Sequence, residues 1–167
     1  SYALAMDIAG EASAAYLTSA FWGCLTLGRL AGIAISFTMR PGRMLLCDLG
    51  GCFVACAIIG LGGSSSAAVW TGTVLLGLSA ASIFPTGINF AERNMHISGA
   101  TTSWFFVGSS VGGMVFPWLI GQFFESVGPY MMVLVLLGDF FAAGLVIFIT
   151  LSYTSPLLND TILKKNY

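Results

Sequence analysis

The chain has 167 residues, 57% of them hydrophobic and only 8% charged, with a formal net charge of −1 and a mean hydropathy of +0.91. A soluble domain carries about 25% charged residues, so this surface would not keep a monomer dissolved, and a balance so near neutral offers no basic patch to nucleic acid. The 21 glycines suit helices that pack closely in lipid.

The opening segment SYALAMDIAGEAS has neither the basic start nor the long apolar core of a signal peptide. Residues 2–6 read as the end of an earlier span, and 1–13 as that end plus an extracytoplasmic loop. Five apolar runs follow, at 14–38, 44–61, 67–90, 101–124 and 130–151. Each is near the ~20 residues a helix needs to cross a ~30 Å hydrocarbon core. The breaks MRPGR, GGSSS, AERNMHISGA and ESVGP have turn and loop composition. Nothing alternates with period two over the length of a barrel strand. The expected fold is all-α: a polytopic bundle of five transmembrane helices over 14–151, with 152–167 as a cytoplasmic tail.

The first run carries Arg29, with Arg40 and Arg43 in the turn behind it. A charge near the middle of a span costs about 2.5–3.5 kcal/mol on the insertion scale. Such residues usually face a bundle interior or a water path and find a partner there. From the end of the run at Thr38, Arg29 stands about 14 Å along the axis, a long reach for snorkelling to the interface. Trp22 could stack on a sugar ring or simply pack. Gly28 and Gly32 form a small-xxx-small face.

In the second run Asp48 sits one turn in, where Arg40 or Arg43 could pair with it. The cysteines Cys24, Cys47, Cys52 and Cys56 all fall in apolar stretches. They match no zinc spacing and read as small buried apolar residues. In the third run, Pro85 and Gly87 weaken the helix locally, and Ser82, Thr86 and Asn89 form a polar stripe beside that weak point. Bent or broken helices that line a cavity are a transporter trait, although ordinary close packing uses the same residues. Glu92 and Arg93 close the run at the interface.

The fourth run begins with Trp104 and holds Ser109, Ser110 and a second glycine pair, Gly108 and Gly112. Gly113 and Pro117 then suggest a helix able to bend. Near the middle of the fifth run lies Asp139, which is either a coupling site for a proton or sodium ion or a structural hydrogen-bonder.

Arg40, Arg43, Arg93, Lys164 and Lys165 fall on one side of a five-span path, while Asp7, Glu11 and Glu125 occupy the other without Lys or Arg. That asymmetry puts the N-terminus outside and the C-terminus in the cytoplasm. On that topology the sequon Asn159-Asp160-Thr161 lies on the wrong side for glycosylation. No enzyme is expected. His96 is the one histidine, no nucleophile–base set is present, and the GLGG at 60–63 ends a span and follows no strand. No cofactor or metal is expected either.

GRLAGIAISFTMRPGR resembles the eighth transmembrane helix and the following loop of the major facilitator superfamily, with Gly42 and Arg43 matching the Gly-Arg that ends the family's loop motif. Thr38 and Met39 stand where that motif carries an aspartate. SAASIFPTGINF and SGATTSWFFVGSSVGGMVFPWLIGQFFESVG resemble helices ten and eleven of the fucose–proton symporter group. YLTSAFWGCLTLGRL is similar to the neighbouring sodium-dependent glucose transporter branch. The resemblance implies helices eight to twelve of the C-terminal half, plus the end of helix seven. It makes Trp22, Arg29, Ser82, Asn89 and Ser109 candidates to line a central cavity for a small polar solute such as a hexose, moved by alternating access. It also puts Asp139 on a peripheral helix. The implied partners are the solute, membrane lipid, and the N-terminal half or another chain. The rival expectation is a non-transporting membrane subunit or regulatory fragment derived from a transporter. Either way the chain is expected to be multi-pass, in the plasma membrane or an endomembrane.

Overall fold

A computed structural model describes the backbone of residues 10–62, 65–94 and 98–165, and side chains over the same ranges except 94, 125–127 and 153–165. Among the described residues six helices follow one another: α1 Glu11–Ser36, α2 Pro41–Leu61, α3 Ser66–Ala80, α4 Ile83–Asn94, α5 Gly99–Val127 and α6 Tyr130–Lys165. No strand occurs among the described residues. With α3 and α4 counted as one span, Ser66–Arg93, five segments among the described residues are long and apolar enough to cross a membrane. Residues 2–6, Asp7 and His96 lie outside the described residues, as do the side chains of Glu125, Lys164, Lys165 and the sequon.

Local chemistry sets the boundaries. Pro41 at the first position of α2 has no N–H to leave unpaired there and a φ already suited to a helix. Ser98 caps α5, its Oγ accepting from the Thr101 amide at 3.3 Å. Gly128 ends α5 with φ +93°, a left-handed conformation that glycine enters without a Cβ clash. Pro117 lies inside α5, yet the helix runs on to Val127 without a break. Past the expected end of the fifth span, α6 continues as helix to Lys165.

The third span is different. It stops being helical at Ala81 and Ser82 and resumes at Ile83. Pro85 supplies the reason: it has no amide hydrogen for the carbonyl four residues back, which is Ala81's, and its ring crowds that carbonyl. The ladder restarts one residue later, with the Thr86 amide donating to the Ser82 carbonyl at 2.9 Å.

α2 is the central helix, packed against α3, α4 and α6, and α1 packs on α3. The buried face of α2 is the stripe Met44, Leu45, Leu49, Cys52, Ala55, Cys56 and Ile59. At the end away from the arginine turn, Leu17, Ile59, Val69 and Val133 tie four helices into one apolar cluster. Cys52 and Cys56 are buried as expected, whereas Cys47 is exposed and Cys24 half-buried. α5 packs mainly on α6, and its apolar window has no buried residue.

Candidate functional site

The α1–α3 contact is closest where the third span breaks. A methyl group on Gly28 would stand 2.7 Å from both the Ala81 Cβ and the Leu78 carbonyl oxygen, and one on Gly32 would stand 3.2 Å from the Ser82 Cβ. The glycine face read from the sequence therefore seats α1 directly on the break. Side chains that flank this contact diverge and leave a cleft of about 300 Å³. Arg29, Ile33 and Ser36 line it from α1, Met44 from α2, and Ser82, Pro85, Thr86 and Asn89 from the break and α4.

The polar stripe expected in the third run is real: Ser82, Thr86 and Asn89 recur at helical spacing and all reach the cleft. Ser82 and Thr86 are buried. The Ser82 hydroxyl donates to Asp48 Oδ2 at 2.7 Å, and the Thr86 hydroxyl to the Met44 sulfur at 3.7 Å. Asp48 thus holds the polar side chain that sits at the break. The expected pairing of Asp48 with Arg40 or Arg43 is not what forms. Asp48 lies on the inward stripe of α2, one turn past Met44 and one before Cys52, so it faces Ser82, whereas both arginines are exposed. The i, i+4 recurrence of Met44, Asp48, Cys52 and Cys56 was the signal for this, and it pointed inward.

Arg29 is exposed at the rim of the cleft. Because α1 ends at Ser36, two residues before the run does, Arg29 stands about 10 Å from the helix end rather than 14 Å. Among the described residues no carboxylate comes within ion-pair distance of its guanidinium. A guanidinium, a hydroxyl and a carboxamide (Arg29, Ser82 and Asn89) therefore share one largely apolar cleft. Its chemistry suits a solute that presents hydroxyl or anionic oxygens while its body contacts apolar walls.

The remaining candidates lie elsewhere. Trp22 is on the same face of α1 as Arg29, two turns away, exposed, with its ring edge-on to Phe21 at 5.6 Å. Ser109 lines a separate shallow groove between α4 and α5, beside Phe84, Trp104 and Gly108. Asp139 is half-buried on α6, and no described side chain hydrogen-bonds to it. Ile33, Ser36 and Met44 are cleft residues that the sequence did not single out.

No family model matches the chain, and no solved structure matches it. Among curated proteins it is 34% identical over 131 residues to the major facilitator superfamily domain-containing protein 4A of Homo sapiens, covering 78% of this chain and 26% of that protein. It is 33% identical over 120 residues to the sodium-dependent glucose transporter 1 of Danio rerio, covering 72% and 20%. With the sodium-dependent glucose transporter 1A of Mus musculus it shares 35% identity over 113 residues, covering 66% and 26%. The chain spans about a quarter of the length of these relatives. Five spans together with relatives of this kind make it an integral, multi-pass membrane protein.

Proposed function

We propose that this chain, which belongs to the major facilitator superfamily, forms the C-terminal part of a secondary transporter for a small polar solute. The observation that carries this reading is the cleft in which Arg29, Ser82 and Asn89 converge on a broken span. A broken span inside a membrane is tolerated where its freed backbone groups are buried in protein or meet water, and transporters place their solute sites at such breaks. Arg29, exposed at the rim and without a carboxylate partner among the described residues, is a charge kept where a passing solute can meet it.

A hexose is the first solute to test, because two of the relatives are named as glucose transporters. Coupling to a proton or sodium ion, with Asp139 as the sequence's candidate, is part of the same proposal. So are alternating access against an N-terminal half, an extracytoplasmic N-terminus and a cytoplasmic C-terminus. Trp22 and Ser109 enter it as residues that a second half would bring toward the solute path.

Uptake of radiolabelled glucose and fucose is the test. It is measured in vesicles holding the full-length protein that carries this chain, with and without a sodium or proton gradient. Uptake that is lost in Arg29→Ala at unchanged protein level is the expected result. Normal uptake in that variant removes Arg29 from the path. Absence of uptake of either sugar with confirmed insertion overturns the hexose assignment and favours the non-transporting subunit.

A further inference from the structure

The face of α2 turned away from the cleft carries a second feature. At about 100° per residue, Met44 and Asp48 lie on one side of α2, and Leu46, Gly50 and Phe53 lie on the other. There α2 runs antiparallel to α6 in a fixed register. A methyl on Gly42 would stand 2.7 Å from Leu151 Cδ2, and one on Gly60 would stand 2.9 Å from Val133 Cγ1. Between these two close contacts the helices part. One groove of about 420 Å³ runs from Leu46 to Phe53, opposite Phe141 and Gly144. A second, of about 330 Å³, continues from Phe53 to Leu61, opposite Leu134. Phe53 lines both, so they form one crease.

Leu46 to Gly60 is about 21 Å along the helix, longer than the ~15 Å depth of one leaflet in a ~30 Å hydrocarbon core, so an acyl chain fits within it. The walls are almost wholly apolar, and glycines at 50 and 144, where an added methyl would meet nothing within 4 Å, leave room between the aromatic rims. One end of the crease is charged. Arg43 falls on the same arc of α2 as Gly50 and Phe53, one turn beyond Leu46, and is exposed; Arg40, also exposed, immediately precedes the helix. Guanidinium groups grip phosphate oxygens in a bidentate fork.

We propose that the α2–α6 crease is a binding site for one anionic phospholipid, with an acyl chain along the crease and its phosphate on Arg43. A protein helix would need a wider opening than a crease pinned shut at Gly42 and Gly60. A neutral apolar ligand would leave the two arginines at the mouth unused. The site does not depend on what the cleft on the other face of α2 carries.

The test uses the purified full-length protein released from bilayers of equal parts phosphatidylglycerol and phosphatidylcholine, with bound lipids counted by native mass spectrometry. Retention of phosphatidylglycerol over phosphatidylcholine by about fivefold is expected, the preference that one basic group near a bilayer surface supplies. Arg43→Gln should bring the two lipids to equal retention, and Gly50→Leu, which fills the crease, should lower both. Thermal melting of each variant shows whether it is folded, and Gly144→Leu repeats the filling from the α6 side. Equal retention of the two lipids by the unaltered protein would overturn the proposal. So would an unchanged preference in folded Arg43→Gln, or full retention in both filled variants.

Discussion

Gly28 with Gly32 on α1, and Gly108 with Gly112 on α5, have the same spacing and opposite surroundings. The first pair is pressed on the broken span, so that even a methyl at Gly28 would meet Ala81 and the Leu78 carbonyl. At the second pair a methyl on Gly108 would meet nothing within 4 Å, and one on Gly112 only Phe116 of its own helix, at 3.8 Å. Lipid supplies no hydrophobic force between helices, so close approach depends on packing and hydrogen bonds that a particular partner must provide. Around Gly28 that partner is present: the break sets the short, buried side chains of Ala81 and Ser82 against α1, and Asp48 fixes Ser82 from behind. The spacing marks a face that can be approached, and the partner decides whether it is.

Substitutions separate the two faces most sharply at Gly28. Gly28→Leu forces a side chain into backbone and should lose at least the ~1–3 kcal/mol typical of overpacking, read as a lower melting temperature and yield of the full-length protein in detergent. A melting temperature equal to the unaltered protein's would mean that α1 does not rest on the break. Next in size is Asp48→Ala, which leaves Ser82 buried without its acceptor; the expected loss is about 1–3 kcal/mol. Asp48→Asn keeps an acceptor oxygen and should lose less, so equal losses would count against the Ser82 bond as the cause.

Pro85→Ala gives the Ala81 carbonyl its missing donor. It should slow amide hydrogen exchange across residues 81–86 and, by straightening the span, narrow the cleft. Unchanged exchange there would place the cause of the break outside Pro85. The smallest effect is expected at Gly112→Ala, within about 0.5 kcal/mol. A larger loss would reveal that a partner covers α5 in the full-length protein.

Much of this was legible in the residues. Run lengths and turn composition gave the five spans, because a crossing helix has a fixed length and its interruptions use Gly, Pro, Ser and charge. Pro85 announced a weak third span; the break itself falls at Ala81 and Ser82, since a proline disturbs the turn before it. At Pro117, by contrast, α5 stays continuous through the proline. The convergence of Arg29, Ser82 and Asn89 follows from the first glycine pair only once its partner is known, and that partner lies about fifty residues away in sequence. Sequence proximity offers Asp48 the loop charges, Arg40 and Arg43 among them, but its place on the inward stripe of α2 gives it to Ser82. The separation of Trp22 and Ser109 from the cleft depends on helix placement, which no local pattern encodes.

The central claim is that the face bearing Arg29, Ser82 and Asn89 lines a watery path while the outer face of α2 and α6 meets lipid. Arg29 and Asn89 on the first face and Leu145 on the second are all exposed in this chain, so exposure alone does not distinguish the two faces. The direct measurement is labelling by a membrane-impermeant, hydrophilic thiol reagent in permeabilised membranes. It uses full-length protein whose native cysteines, exposed Cys47 included, have been replaced. Single cysteines are then placed at Asn89 and at Leu145. Rapid labelling of Asn89→Cys with little labelling of Leu145→Cys is the predicted result. Equal labelling of the two positions, or protection of Asn89→Cys, would contradict it.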